Sequence, residues 1–284
     1  MRTLTELAHA KINLTLDVLY RRTDGYHEVE MVMQSIELAD RVSLAKTSQG
    51  ITLQVSSNEI PTDKNNLAWQ AAQLMFDKLG LDGGLAIDLE KNIPVAAGLA
   101  GGSADAAAVI RGINRLWQLE LSLTELLEFG ALIGSDIPFC IQEGTALATG
   151  RGELLTKLTS CPEMWLVLVK PKVGVATGTV YGSFEVENVT TRPDTSAMLK
   201  AIAEGNEAAI VNNMYNVLES TTVNLVPEIE AIRQQLVRAG ALKAVMSGSG
   251  PTVFGVTQNE VQARSVAVAI AGGAHTVIVT KTHV

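Results

Sequence analysis

Residues 94–110 constrain this chain more than any other segment does. They read Pro-Val-Ala-Ala-Gly-Leu-Ala-Gly-Gly-Ser-Ala-Asp-Ala-Ala-Ala-Val-Ile, a glycine-rich run that passes directly into an alanine-rich one. Gly98, Gly101 and Gly102 have no side chain that would keep a ligand away, and Ser103 is a residue type that favours the N-cap of a helix. The pattern predicts a loop followed by a helix whose free N-terminus suits an anion such as phosphate.

Length and charge limit the kind of protein to which this stretch can belong. A chain of 284 residues is long enough for two medium domains, and we expect a division into residues 1–160 and 161–284. The formal net charge of -8 gives no support to a nucleic-acid surface. The longest strongly apolar run, residues 164–169, is too short to span a bilayer, and the first residues lack the apolar core of a signal peptide. We therefore expect a cytoplasmic protein that binds neither nucleic acid nor membrane.

The cysteines and histidines do not indicate a metal centre. Cys140 and Cys161 have no short metal-ligand spacing, and the four histidines form no paired metal-binding pattern. We expect both thiols to be buried or incidental.

An alternating segment near the N-terminus predicts a strand over residues 11–18. The apolar residues at positions 12, 14, 16 and 18 point one way, and the polar residues between them point the other. Lys11 and Asn13 are two residues apart on the polar face, so their side chains would project into the same space. That face is either a solvated strand surface or part of a site.

Two further groups of polar residues have both an ordinary and a functional interpretation. Residues 21–27 read Arg-Arg-Thr-Asp-Gly-Tyr-His, a turn with the Asp-Gly signal of a tight reversal between two strands. Tyr26 and His27 either stack on and hydrogen-bond a planar ligand or pack the loop. Asp136, in Gly-Ser-Asp-Ile-Pro, is either the N-cap of a turn or a catalytic carboxylate.

The remaining patterns predict a mixture of helices and strands, with an antiparallel sheet early in the chain. Several helices are predicted in the second half. The clearest of them has four apolar residues on one face, namely Leu225, Ile229, Ile232 and Leu236. The chain then ends in the order strand, strand, helix, strand, and a second glycine turn at residues 247–251 separates the first two of these strands.

Several familiar motifs are excluded by their own spacing. Residues 98–103 lack the Gly-Lys-Ser or Gly-Lys-Thr ending of a Walker A loop. The run Gly248-Ser249-Gly250 is followed by Val253 where a dinucleotide motif has its third glycine, and Ser247 stands where a nucleophile elbow has its first. The parts that remain are those of phosphoryl transfer: a glycine loop before a helix, an early lysine and a later carboxylate.

Three ordered segments resemble the motifs of the GHMP small-molecule kinases. They are residues 8–14, 94–104 and 246–250, so the similarity covers nearly the whole chain. Within that superfamily, residues 22–27 and 134–139 resemble the kinases that act on 4-diphosphocytidyl-2-C-methyl-D-erythritol in the non-mevalonate route to isoprenoid precursors. The resemblance implies an α+β fold of two domains, an N-terminal domain like ribosomal protein S5 domain 2 and a ferredoxin-like C-terminal domain.

The resemblance also implies roles for individual residues. ATP would phosphorylate the 2-hydroxyl of the substrate, with Asp136 as general base and Lys11 beside it as charge partner. The ATP phosphates would be bound by Pro94, Val95, Ala96, Ala97, Gly98, Leu99, Ala100, Gly101, Gly102, Ser103 and Ala104. The small-molecule substrate, which carries a cytidine diphosphate group, would be bound by Asn13, Tyr26, His27, Thr177 and Tyr181.

Within this implied substrate site, Asn13 and His27 would bind the cytidine end, Tyr26 and Tyr181 would stack on the cytosine, and Thr177 would lie near the methylerythritol. Mg2+ is implied as well, because it bridges phosphates in other kinases, but the resemblance names no protein ligands for it. We expect a monomer or a weak homodimer.

Some positions depart from the family pattern. His9 stands where the family usually has proline, and this change concerns the entry to the strand. Ala96, Ala97 and Ala100 replace glycines that are common in the loops of some members. The alanines stiffen the loop, so its shape is not determined by the resemblance.

Two other functions stay open at this point. A GHMP kinase acting on homoserine or mevalonate has a substrate without a base, on which Tyr26 and His27 would have nothing to stack. A non-catalytic nucleotide or sugar sensor on the same fold would need neither Lys11 nor Asp136.

Overall fold

The computed structural model of the protein describes residues 3–273 and 275–284. The chain forms two compact units, each made of several segments. The first comprises the chain up to Ala10, Leu38–Val95 and Ala100–Glu143, and the second comprises Lys11–Glu37, Ala96–Leu99 and Gly144–Val284. No helix in the described part of the chain has the length and hydropathy needed to cross a membrane.

Both units mix helices and strands. The strands are β1 (Thr3–Arg21), β2 (His27–Thr47), β3 (Gly50–Val55), β4 (Gly84–Glu90), β5 (Thr145–Thr149), β6 (Leu154–Lys157), β7 (Trp165–Pro171), β8 (Tyr215–Asn216), β9 (Lys243–Met246), β10 (Val253–Thr257) and β11 (His275–Lys281). The helices are α1 (Leu67–Leu79), α2 (Gly101–Trp117), α3 (Leu123–Ala131), α4 (Ile137–Gln142), α5 (Thr177–Ser183), α6 (Thr195–Ala203), α7 (Glu207–Asn213), α8 (Leu218–Leu225), α9 (Glu228–Arg238) and α10 (Glu260–Ile270).

In the first unit, strands of mixed direction lie against a helical layer. β3 pairs with β4 in parallel, whereas the last residues of β2, Arg41–Thr47, pair with β4 antiparallel, so the predicted antiparallel sheet is mixed here. Helices α1, α3 and α4 all pack against α2. A Cβ on Gly112 would lie 2.1 Å from Leu44 Cδ1. Glycine at that position therefore lets α2 approach β2 closely.

The C-terminal part of the second unit is an antiparallel sheet of four strands in the order β11-β7-β10-β9. Helices α9 and α10 pack on it. The arrangement of strand, helix, strand, strand, helix and strand is that of a ferredoxin-like domain. The predicted order of the last elements and the predicted ferredoxin-like domain are both confirmed.

The second unit also contains strand pairs from the N-terminal half of the chain. Residues 31–34 of β2 pair antiparallel with β5, which pairs in turn with β6, and residues 15 and 16 of β1 pair in parallel with β8. The polar face of β1 is buried, because Lys11 is 4% exposed and Asn13 is 0% exposed. The interpretation of that face as a solvated strand surface is therefore wrong.

The predicted stripe of late helical residues is interrupted. Leu225 is the last residue of α8 and is 43% exposed, whereas α9 begins at Glu228 and buries Ile229, as well as Ile232 and Leu236. Pro227 disfavours a helical conformation at the residue before it, and the backbone of Val226 is non-helical, with φ -137° and ψ 84°. The four residues thus belong to two helices.

Candidate functional site

The glycine stretch adopts an irregular backbone. Ala96, Gly98 and Ala100 have φ values of 50°, 74° and 58°, so residues in the left-handed region alternate with others along the loop. Backbone that alternates in this way turns successive N–H groups into a concavity that binds anions. The predicted loop is therefore present, and two of its left-handed positions are alanines.

The helix after the loop starts earlier than Ser103. Ala100 occupies the N-cap position of α2, and Ser103 lies inside the first turn, so the prediction of Ser103 as N-cap is wrong. The left-handed backbone at Ala100 starts the helix at Gly101. Because an alanine side chain cannot accept a hydrogen bond, Ala100 cannot cap the first amides of α2. These amides and the helix dipole provide a site for an anion.

A second glycine turn lies against the loop within the second unit. Ser247 Oγ donates a hydrogen bond of 3.0 Å to Gly98 O, and a Cβ on Gly98 would be 2.4 Å from Ser247 O. A Cβ on Gly248 would lie 3.2 Å from Lys11 Nζ. Residues 96–99, the turn at residues 247–251 and Lys11 are therefore packed together.

Lys11 and Asn13 form a buried polar pair on β1. Lys11 Nζ donates to Asn13 Oδ1 at 2.7 Å, and the backbone N–H of Lys11 donates to Leu99 O at 3.1 Å. Asn13 Nδ2 points at Met31 Sδ, 3.1 Å away. The predicted proximity of the two side chains is present, and it brings a cation beside the glycine loop.

Two of the predicted aromatic residues meet. The rings of His27 and Tyr181 have centroids 5.4 Å apart and are tilted by 36°. Burial lowers the pKa of His27 below its usual value, and the charge of Arg21 lowers it further, so the neutral ring is favoured. A neutral imidazole can both donate and accept hydrogen bonds.

Tyr26 has a different neighbour. The Arg151 guanidinium lies 5.0 Å from the centre of the Tyr26 ring, which is 55% exposed. The Glu28 carboxylate contacts the turn that carries Tyr26 and the turn that carries Arg151. It accepts hydrogen bonds from Arg22 at 2.6 Å and from the Gly150 N–H at 2.9 Å. Arg151 is not among the predicted site residues, and its only sequence signal is the Gly-Arg-Gly turn.

Thr177 and Asp136 lie in different units. Thr177, the first residue of α5, is exposed, and its hydroxyl is 3.1 Å from Ser249 Oγ of the glycine turn. Asp136 belongs to the first unit and occupies the N-cap position of α4. Its carboxylate makes no capping hydrogen bond to the described residues of α4.

Comparison with known proteins gives matches in both halves of the chain. The family models described as GHMP kinases N terminal domain and GHMP kinases C terminal match residues 66–144 and 198–274. These matches fall on either side of residue 160, whereas the domain boundary itself, like the monomer or weak homodimer, stays a prediction.

Curated relatives and solved structures extend the similarity. A 4-diphosphocytidyl-2-C-methyl-D-erythritol kinase of Bacillus licheniformis is 52% identical over 261 residues, 92% of this chain and 90% of that protein. One of Acetivibrio thermocellus is 49% identical over 263 residues, 93% of each chain. A crystal structure of 4-(cytidine 5'-diphospho)-2C-methyl-D-erythritol kinase has a TM-score of 0.83 and 34% identity, covering 99% of this chain and 100% of that one. A homoserine kinase from Cytophaga hutchinsonii, with a TM-score of 0.79 and 18% identity over 100% of this chain and 95% of its own, shares the fold.

Proposed function

Because the chain belongs to the 4-diphosphocytidyl-2-C-methyl-D-erythritol kinase family of the GHMP kinases, we propose that it transfers the γ-phosphoryl group of ATP to the 2-hydroxyl of 4-diphosphocytidyl-2-C-methyl-D-erythritol. The observation that carries this proposal is the identity of 52% over 92% of the chain with a kinase named for that substrate. The paired rings of His27 and Tyr181 support it, because a cytosine base binds to aromatic surface.

The glycine stretch fits the phosphates of ATP. Its left-handed positions turn backbone N–H groups into a concavity, and the first turn of α2 adds uncapped amides with a positive dipole end. A Cβ on Gly98 would lie 2.4 Å from Ser247 O, so glycine at this position allows the loop to pack on the glycine turn. Residues 94–104 would therefore bind and orient the phosphates without a Walker A lysine.

Lys11 and Asp136 would carry the chemistry. The buried ammonium of Lys11, beside Gly248 and the loop, would stabilise negative charge on the reacting oxygens. Asp136 would accept the proton of the 2-hydroxyl as that oxygen forms its bond to the γ-phosphorus, while the bond between this phosphorus and the β,γ-bridging oxygen breaks and ADP leaves. In this mechanism the protein positions the groups and stabilises charge, which is how kinases act in general.

Mg2+ would neutralise part of the phosphate charge. Hard cations take oxygen ligands, and the hydroxyl of Ser103 and the carboxylate of Asp136 fit that requirement chemically.

The substrate base would lie in the second unit. The rings of His27 and Tyr181 already pack against each other. Asn13 lies on the same strand as Lys11 and accepts a hydrogen bond from it. Tyr26 would complete the stack on the cytosine, while the Thr177 hydroxyl, beside Ser249, would bind nearer the methylerythritol.

The variant Asp136→Asn tests the assignment of the base. Asparagine has the same shape but cannot accept the proton, so turnover should fall at least about a hundredfold while ATP binding is retained. Asp194→Asn is a matched control, because Asp194 is also an N-cap aspartate but caps Ala197 N at 2.9 Å in α6. Near-normal turnover of Asp136→Asn, or an equal loss in the control, would contradict the role of Asp136.

A phosphate-transfer assay across three acceptors tests the reaction itself. We expect transfer to 4-diphosphocytidyl-2-C-methyl-D-erythritol and none to homoserine or mevalonate. Transfer to either of the latter alone would overturn the proposed substrate. Binding of ATP without transfer to any acceptor would instead indicate a nucleotide sensor.

A further inference from the structure

A buried cluster of three charges lies in the first unit, next to the glycine stretch. Lys91 Nζ donates to Asp40 Oδ2 and, at 2.6 Å, to Asp105 Oδ2. The side chains of Lys91, Asp40 and Asp105 are 6%, 0% and 2% exposed. None of these residues is among the predicted site residues, and the reaction proposed above does not use them.

Asp40 also holds the backbone that leads into the glycine stretch. Its Oδ1 accepts hydrogen bonds from Asn92 N at 2.5 Å and from Ile93 N at 2.8 Å. Asn92 is held further because its side-chain amide donates to Ala39 O at 3.0 Å. The two residues before Pro94 are therefore fixed to one carboxylate.

Asp105 ties the same cluster to the other end of the stretch. It follows Ala104 in the second turn of α2, so its bond to Lys91 links the helix after the loop to the strand exit before it. A Cβ on Gly101 would be 3.0 Å from Ile93 Cγ2 and 3.5 Å from Lys91 Nζ. The first turn of α2 thus rests directly on the residues that Asp40 holds.

The cluster contains more carboxylates than ammonium groups. Two carboxylates share one ammonium in a buried place, and within the described residues Asp105 Oδ1 has no hydrogen-bond partner. Burial raises the pKa of Asp105 to about 7, the ammonium of Lys91 opposes this shift, and Asp40 adds to it. Apolar residues often replace buried ionic clusters with no loss of stability, so stability alone does not account for this cluster.

We propose that Asp40, Lys91 and Asp105 are positioning residues that clamp both ends of the glycine stretch and thereby set its amides for the phosphates of ATP. The Lys91 ammonium holds the two carboxylates and does not itself contact the nucleotide, because it is paired with both of them and its side chain is almost fully buried. The inference rests on the proposed function, since it requires phosphates at residues 94–104. It adds that the affinity for nucleotide depends on groups that do not touch it.

The variant Asp105→Leu separates position from stability. Leucine removes the tie to α2 but leaves the neutral pair of Lys91 and Asp40 and its backbone bonds in place. We expect the melting temperature to be unchanged or higher, since an unbalanced buried charge is removed. The Kd for a non-hydrolysable ATP analogue, measured by calorimetry, should rise about tenfold or more, which corresponds to about 1.4 kcal/mol. Hydrogen exchange of the amides of residues 95–104 should accelerate.

Arg111→Met is the matched control. Arg111 is a partly buried cation on α2, paired with Glu6 at 3.5 Å and Glu143 at 3.2 Å, but it follows the first turn by two turns of helix. This variant should lose stability and keep the wild-type affinity for the analogue. Lys91→Met removes the bonds to both carboxylates. It should weaken binding of the ATP analogue at least as much as Asp105→Leu does.

The outcomes distinguish this inference from the proposed function. If the wild-type protein binds no nucleotide, the proposed function fails. If the wild type binds the analogue while Asp105→Leu folds and binds it equally well, with unchanged exchange at residues 95–104, the positioning role is overturned. An equal loss of affinity in Arg111→Met would also overturn it, because the effect would then be general destabilisation.

Discussion

Replacing Gly98 with alanine tests how the glycine stretch is held within the second unit. Gly98 has a φ of +74°, and a Cβ there would lie 2.4 Å from Ser247 O and 2.8 Å from Gly250 O. Both contacts are with backbone atoms of the glycine turn. They cannot be relieved by rotation of a flexible side chain, so the loop and the turn would have to move apart.

The size of the effect follows from three contributions. The left-handed conformation costs an alanine about 1–2 kcal/mol, and overpacking against the turn costs about 1–3 kcal/mol. The lower entropy of the unfolded chain offsets about 0.4–1 kcal/mol of this. We therefore expect Gly98→Ala to lower the free energy of unfolding by about 3 kcal/mol.

Urea unfolding of Gly98→Ala and of Gly205→Ala can be compared. The difference between their losses in the free energy of unfolding measures the steric contribution alone. Gly205 has a φ of +62°, and a Cβ there would meet no atom of the described chain within 4 Å. That control should lose only about 1 kcal/mol, from backbone strain. Gly98→Ala should also bind the ATP analogue more weakly, whereas the control should not. Equal losses of stability in the two variants would refute the close packing of the loop on the turn.

Two further predictions concern the substrate base and the thiols. Tyr26→Ala should raise the KM for the cytidine substrate and leave the KM for ATP unchanged, because the ring is exposed and contributes little to folding; equal increases in both constants would contradict stacking on the cytosine. Burial, with a smaller effect of Glu207, raises the pKa of the Cys161 thiol to about 12, and Cys140 is also buried. At pH 8 the native protein should therefore react with Ellman's reagent only after unfolding in urea, and rapid labelling of either native thiol would be inconsistent with this.

Local patterns predicted the elements where a segment determines its own conformation. Residues 122–125 read Ser-Leu-Thr-Glu, the pattern of a capping box, and the box is present at the start of α3: Ser122 Oγ accepts from Glu125 N, and the Glu125 carboxylate accepts from Ser122 N. The start of α2 was not predictable in this way, because a serine at position 103 is a better N-cap by local preference than Ala100. The backbone at Ala100 is instead left-handed, and the helix starts there.

Contacts between residues that are distant in sequence could not be predicted for the site. Lys11 and Asn13 were found because an alternating strand places them on one face. Lys91 and Asp40 are 51 positions apart, and Arg151 lies across from Tyr26 on another turn. No periodicity connects such pairs, so only the folded chain shows them together.

The alanines of the loop connect its shape to these distant contacts. Ala96 and Ala100 have φ values of 50° and 58°, a region that costs each about 1–2 kcal/mol relative to right-handed backbone. Their own preferences oppose the observed loop, so contacts outside it must hold it in place. Ser247 supplies one such contact, at Gly98 O in the second unit, and the cluster around Lys91 supplies another in the first.

This dependence explains why affinity and stability should respond differently to the same substitution. An alanine has fewer unfolded conformations than a glycine, so a loop that is held loses less entropy when it becomes ordered and is preorganised for phosphate. When one contact is removed, as in Asp105→Leu, Ala100 can relax towards its preferred backbone. Relaxation relieves strain, in line with an unchanged or higher melting temperature. It also moves the first amides of α2 away from the phosphates, so nucleotide affinity should fall.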